Sequence, residues 1–249
     1  MAKTHRVVFL SDVHPPYHDK VAVQLSRDII ADIKPDTLFF GGDMIDMYAV
    51  SDFDRDPERV VKFQDEFDEA VDVLAGFRKL GKDALFLPGN HEERWERYRH
   101  RHAEISSLRN AQLESLLELK KLKIGLLEHG KDFRIGQLYY MHGDEVAAGS
   151  TYVARNFYLK EQGSVVFGHY HRAQVFYNRL KGGEVHGSWA SPCLCLLKQQ
   201  YTRGTTQWSQ GFSVITYYGD KFHVDQVVFF SDGKRLYGSF GDQLYSRPL

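Results

Sequence analysis

Short runs in which nearly every residue is apolar punctuate the first two thirds of the chain, at residues 7–10, 37–40, 84–87, 138–141 and 165–167. Strands covered on both faces read this way, because neither face is left to water. Between them the apolar residues recur every three or four positions. Residues 19–33 form one such helical stretch. Residues 57–80 form a longer one, with Pro57 in the first turn and Val60, Phe63, Phe67, Val71, Leu74 and Phe77 on one stripe. Asp65, Glu66, Asp68, Glu69 and Asp72 fall on the other side and read as a solvated face. Strand and helix in alternation predict an α/β layered fold. After Gly168 short alternating runs are separated by turn signals, Gly182-Gly183 and Gly219-Asp220 among them, which predicts an antiparallel C-terminal part. With no repeat or linker in view, one domain over residues 1–249 is expected. Residues 92–123, helical and dense in charge, read as an insertion within it that caps something.

Composition narrows the classes. At 43% hydrophobic and 26% charged residues, the 249-residue chain is neither disordered nor fibrous. It is long enough to bury a sizeable core unaided, so any metal it holds is there for chemistry. The 32 Lys and Arg against 33 Asp and Glu give no long-range attraction to nucleic acid or acidic membranes. Cys193 and Cys195, two residues apart, have poor disulfide geometry and read as buried thiols in a reducing compartment. No stretch resembles a secretory leader or a bilayer span, so a cytoplasmic location without a membrane partner is expected.

Residues suited to metals gather directly after the predicted strands: Asp12-Val13-His14, Gly42-Asp43-Met44-Ile45-Asp46, Gly89-Asn90-His91-Glu92, His142-Gly143-Asp144 and Gly168-His169-Tyr170-His171. In α/β sheets, segments leaving the carboxyl ends of neighbouring strands converge on one crevice. Carboxylates, imidazoles and one carboxamide suit manganese, iron or zinc rather than a structural zinc knuckle. Asp12, His14, Asp43, Asn90, His142, His169 and His171 are too many ligands for one catalytic ion, but they suffice for two divalent ions if Asp43 bridges. Manganese is the expected metal, with iron or zinc as alternatives. Such a pair suits phosphoester hydrolysis, because it clamps both the attacking and the leaving oxygen.

The set D-x-H, G-D-x-x-D, G-N-H-E, H-G and G-H-x-H, in this order and strand context, resembles the calcineurin-like metallophosphoesterases. The motifs span about two thirds of the chain. The resemblance implies a four-layer β-sandwich flanked by helices and a hydrolase in which a metal-bridged hydroxide attacks phosphorus. It implies one metal site of Asp12, His14, Asp43 and His171 and a second of Asp43, Asn90, His142 and His169. It also implies a catalytic role for His91, in protonating the leaving oxygen or steadying the phosphoryl oxygens. Imidazole chemistry near neutral pH suits that role. Asp46 or Glu92 is a candidate to orient a neighbouring histidine.

Arg172, next to His171, is placed to bind a substrate phosphate, since guanidinium matches phosphate bidentately. The substrate is expected to be a phosphate ester, most simply a diester. Nucleic acid is an open alternative, on the grounds of Arg94, Arg97, Arg99 and Arg101 and of Tyr170, Trp189, Tyr201 and Trp208 as stacking candidates. The rival from another class is a metal-binding scaffold without turnover. Such a chain is expected to lose a ligand or His91, and here all are present.

Overall fold

The computed structural model describes residues 4–52, 62–144, 151–198 and 206–249. The first half runs β1 (Thr4–Leu10), α1 (Lys20–Ile33), β2 (Thr37–Phe40), α2 (Phe63–Arg78) and β3 (Asp83–Phe86). Four helices follow, α3 (Asn90–Arg101), α4 (Ala103–Ser106), α5 (Leu113–Leu116) and α6 (Leu119–Leu122), and then β4 (Gly125–Leu126). Next come β5 (Phe133–Ile135), β6 (Leu138–Met141), α7 (Val153–Glu161), β7 (Ser164–Phe167), β8 (Gln174–Arg179) and β9 (Val185–Ala190). The chain ends with β10 (Gly211–Tyr218), β11 (Lys221–Val228), β12 (Phe230–Ser231), β13 (Arg235–Phe240) and β14 (Gln243–Pro248).

The all-apolar strands do what their pattern requires. One sheet has the order β11-β10-β1-β2-β3-β4, a second β5-β6-β7-β9-β8, and a small third sheet β12-β13-β14. Successive side chains of a strand face opposite ways. Val7 and Phe9 of β1 and Phe39 of β2 therefore meet Tyr140, Val166 and Trp189 of the facing sheet. Val8, Leu10, Leu38 and Phe40 point the other way, into a core shared with Leu25 and Ile29 of α1 and Phe67, Leu74 and Phe77 of α2. On the far side of the second sheet, Val165 and Phe167 pack beneath Val153 and Phe157 of α7. The order is helix, sheet, sheet, helix, the four layers expected. Phe9 shows no surface to solvent, and Phe9→Ala should cost about 3–5 kcal/mol.

Helix α1 starts where Asp19 accepts hydrogen bonds from the Val21 and Ala22 N–H groups, both at 3.0 Å. It stops at Lys34, whose φ of 51° leaves the helical region. The small third sheet lies against α1, with Arg247 on Asp28 at 2.5 and 2.7 Å and the Tyr245 hydroxyl donating to Asp32 at 3.0 Å. Helix α2 begins at Phe63; Pro57 and Val60 lie outside the described residues. Its acidic side differs from the expectation at one position. Glu66 is 2% exposed rather than solvated, because its carboxylate accepts from the Met47 and Tyr48 N–H groups of the loop after β2.

The C-terminal part is antiparallel in the β8–β9 and β10–β11 hairpins. Within it, β9 enters between β7 and β8 and runs parallel to β7. Residues 92–123 are helical, and their Trp95, Leu113, Leu117 and Leu119 are buried in the main core. Among the described residues no helix is long and apolar enough to cross a membrane.

Candidate metal centre

Five loops leave the carboxyl ends of β1, β2, β3, β6 and β7, and the backbone ties them together. The Asp12 N–H donates to Gly42 O at 3.0 Å, and the Val13 and His14 N–H groups donate to Asp43 O. Gly168 N–H donates to His142 O at 2.7 Å, and His169 N–H donates to the Asp12 carboxylate at 2.9 Å. The motif glycines make this approach feasible. A side chain on Gly42, at φ 92°, would meet His142 Nδ1 within 2.5 Å, and one on Gly168 would meet Asp12 Oδ2 at the same distance.

Asp12, His14, Asp43, His169 and His171 all have φ between 53° and 67°. A non-glycine residue in that left-handed region is strained by roughly 1–2 kcal/mol. Five such residues among the seven expected ligands mark a place where the fold holds side chains in otherwise unfavourable positions.

The side chains form two groups that meet at Asp43. In the first, His171 Nε2 is 3.2 Å from Asp12 Oδ1 and 3.2 Å from His14 Nε2, which is 3.6 Å from Asp43 Oδ2. In the second, His142 Nε2 is 3.2 Å from Asp43 Oδ2 and 3.0 Å from Asn90 Oδ1, and that oxygen is 2.8 Å from His169 Nδ1. Ligand atoms about 2.0–2.2 Å from one ion stand roughly 2.8–3.6 Å apart, so these spacings are those of coordination edges. The donor set fits divalent ions of the manganese, iron or zinc type.

Charge points the same way. Asp12, Asp43 and His142 are each at most 3% exposed. Burial alone would raise the Asp43 carboxyl, but His142, His91 and His14 around it outweigh burial and hold it well below the usual range. Burial likewise disfavours a charged His142, yet Asp43 and Asp12 beside it push its pKa well up. These groups favour one another's charged forms, and a divalent cation would take over the role of the proton on His142.

The supports behind the ligands are explicit. His142 donates from Nδ1 to Gly41 O at 2.9 Å, and His14 Nδ1 stands 3.2 Å from the Asp46 carboxylate, which leaves both Nε2 atoms facing the site. Asp46, of the two candidate acids, is therefore the one that stands against a histidine ring. Glu92 does something else. Its carboxylate, fully buried, accepts from the N–H groups of Gly89 at 2.8 Å, Asp43 at 2.9 Å and Met44 at 2.7 Å, and so clamps the start of α3 to the β2 loop. The glutamate of G-N-H-E is a backbone clamp.

His91 lies at the same place. Its N–H donates to Asp43 Oδ1 at 2.9 Å, its Nδ1 donates to Asp46 O at 2.6 Å, and its Nε2 accepts from Arg94 at 2.8 Å. Burial chiefly, with Arg94 and His14 adding to it and Asp43 and Asp46 opposing, pushes the imidazole down to about 3, so it is neutral here. Arg94, which the sequence pattern places in a basic surface run, turns inward instead. Position 94 is one helical turn after His91, and its other nitrogen donates to Asp46 O at 3.0 Å. Arg172 is half-buried on the loop that carries His169 and His171. Trp208 sets its ring 4.3 Å from that of His171. Trp189 and Tyr170 belong to buried apolar clusters, and Tyr201 lies outside the described residues.

Residues 5–173 match the calcineurin-like phosphoesterase family. The chain belongs to that family. Its members bind divalent metals, and the described residues include groups that could hold such an ion, among them Asp12, His14 and His171, and Asp43, His142 and His169. No curated protein matches it. Among solved structures, it is similar to Vps29 of Chaetomium thermophilum at 9% identity and a TM-score of 0.50, over 98% of this chain and 97% of that one. Vacuolar protein sorting 29 of Cryptosporidium parvum aligns at 16% identity and 0.47, over 98% and 96%. Vps29 of Entamoeba histolytica, in a complex with Zn²⁺, aligns at 11% and 0.45, over 98% of each chain. At such identities a likeness speaks to fold alone.

Proposed function

We propose that this calcineurin-like phosphoesterase is a two-metal hydrolase of small phosphodiesters, with Asp12, His14, Asp43 and His171 at one ion and Asp43, Asn90, His142 and His169 at the other. The observation that carries the reading is the position of Asp43 Oδ2, within 3.2 Å of His142 Nε2 and 3.6 Å of His14 Nε2, between two otherwise separate ligand groups. Two divalent ions, with manganese the first expectation, would supply charge neutralisation at phosphorus and acidify water for an in-line displacement.

The chain's own groups supply the rest. With Nδ1 held by Asp46 O, His91 exchanges a proton only at Nε2, the atom that Arg94 contacts. Neutral His91 presents a lone pair at Nε2, so to serve a leaving oxygen it must first take up a proton there from water once the guanidinium has swung away, and the freed guanidinium then becomes available to a phosphoryl oxygen. Arg172, on the loop that carries His169 and His171, is proposed as a second phosphate contact.

A diester needs room for a second organic group. A cavity of about 480 Å³ beside the start of α3 is lined by Pro88, Glu93, Glu96, Glu114, Glu128 and His129 among others. That acidic wall disfavours a polyanion. The basic run offers it a reduced grip, since Arg99 pairs with Glu96 at 2.6 Å, Arg101 pairs with Asp52 at 2.8 Å and Arg94 turns inward, which leaves Arg97 exposed to solvent.

The test is hydrolysis of bis-(p-nitrophenyl) phosphate beside p-nitrophenyl phosphate, by chelator-stripped protein as Mn²⁺ is returned. Metal-restored turnover that favours the diester is expected. Preference for the monoester would overturn the diester assignment. Uptake of two ions with no turnover of either ester would leave a metal-binding scaffold in place of an enzyme.

A further inference from the structure

Of the histidines that face the first ion position, His14 has its outer nitrogen against a carboxylate, whereas His171 has its outer nitrogen against sulfur. His171 Nε2 points into the centre, 3.2 Å from both Asp12 and His14, and Nδ1 on the opposite edge lies 3.6 Å from Cys195 Sγ. Both residues are buried, and Cys193, also buried, brings its sulfur within 4.8 Å of the same two atoms. We propose that Cys195 is a positioning residue of the metal centre, which holds the His171 imidazole with its hydrogen on Nδ1 and its lone pair on Nε2 toward the first ion. This rests on the two-metal reading above.

The chemistry follows from the ring. An imidazole that ligates through Nε2 must carry its hydrogen on Nδ1, and what accepts that hydrogen sets both the tautomer and the ring plane. Thiol sulfur is a weak acceptor, so the hold on His171 is looser than that of a carboxylate on His14 or a carbonyl on His142. The geometry around it compensates. The N–H groups of Leu194 and Cys195 both donate to Asp12 O at 3.1 Å, which ties the cysteine segment to another ligand of the same ion. Ser209 N–H donates to His171 O at 2.8 Å, and Cys193 N–H donates to Ser209 O at 3.0 Å, which closes the frame on the other side. His171 sits at φ 58°, a conformation it would not keep unaided. Cys193 differs from its neighbour, because its Sγ donates to Ser209 O at 3.4 Å and serves the frame rather than the ring.

The test uses the full chain and compares wild type with Cys195→Ala, Cys195→Ser and Cys193→Ala. The readouts are Mn²⁺ titration calorimetry, the visible spectrum of the Co²⁺-loaded protein, and the melting temperature of the metal-free protein. In Cys195→Ala one binding step should lose about 10–100-fold in affinity while the other stays unchanged, with a shifted Co²⁺ band at one ion. Cys195→Ser, which keeps a hydrogen-bonding atom, should recover part of the loss. Cys193→Ala, which removes one contact of the frame and none of the ring, should lose clearly less affinity than Cys195→Ala.

Unchanged titration and spectrum in Cys195→Ala would overturn the proposal. So would equal losses at both ions, or losses in Cys193→Ala as large as in Cys195→Ala, since either would report on the fold rather than the ring. The metal-free melting temperatures identify a variant that merely fails to fold, and the serine variant then decides: wild-type binding with a wild-type Co²⁺ band supports the proposal, and loss confined to neither ion overturns it. A wild-type chain that takes up no ion is a separate failure, because it would overturn the two-metal reading itself.

Discussion

The two halves of the metal centre are built differently. In the first, His14 and His171 are backed by side chains, the Asp46 carboxylate and the Cys195 thiol. In the second, His142 donates to a main-chain oxygen, Gly41 O, and Asn90 opens α3, whose start the Glu92 carboxylate clamps to the β2 loop by accepting from backbone N–H groups. A side-chain support can be removed while the backbone stays in place, whereas a main-chain support goes only with the fold. The first ion should therefore be separable from the second by point substitution. The second half has one side-chain support, Glu92, and because it also holds the Asp43 N–H its removal should reach both ions.

The largest effect would erase the comparison altogether. Asp43→Asn removes the charge shared by both halves, so occupancy of both ions should fall together and hydrolysis should be nearly abolished. Metal analysis that finds both ions retained would refute the bridge. Next in size, His91→Ala should leave both halves loaded but slow the reaction on the order of 10²–10⁴-fold for an alkyl leaving group, and much less for nitrophenolate, which hardly needs a proton. A rate loss equal on both esters would leave His91 as a phosphoryl-oxygen contact instead.

A smaller effect would sharpen the contrast. Asp46→Asn keeps the shape beside His14 and loses the charge, so affinity for the first ion should drop about 10-fold with the second untouched. Equal weakening of the two ions in calorimetry would show that the halves are not separable. An effect on stability rather than on metal binding lies just behind the site, at Glu66. Burial first, and then the nearby Asp46 charge, push this carboxyl up to about 7 against the hydrogen bonds from Met47 and Tyr48. Its usual value in the unfolded chain is near 4.5. Between those values the native chain holds a proton that the unfolded chain has lost, so stability falls as pH rises through the window and levels off above it. The loss amounts to at most about 3 kcal/mol. Glu66→Gln should flatten this part of the pH profile of the melting temperature. An unchanged slope would exclude Glu66 as its source.

The layers and the ligand order were readable along the chain for a local reason. Strand apolarity and helical period depend on neighbours a few residues away, and the metal-type residues sit immediately after the strands at 7–10, 37–40, 138–141 and 165–167, so the shared sheet edge brings them together. Single charged residues were not readable in this way. By composition Glu66 looks solvated and Arg94 looks like surface, because charged residues are seldom buried unless partnered, and Glu92 reads as a support for a histidine rather than a clamp on backbone. Beside partners three positions away, they reach groups 18, 19, 48 or 49 positions away.

By itself, then, the sequence determined which residues could serve as ligands, in what order, and on what kind of sheet. Only the tertiary structure decided which nitrogen of each histidine faces the centre, which acid stands against His14, and that a thiol stands behind His171. Those choices depend on contacts such as the one across 24 residues between His171 and Cys195, and packing sets them where no local period can.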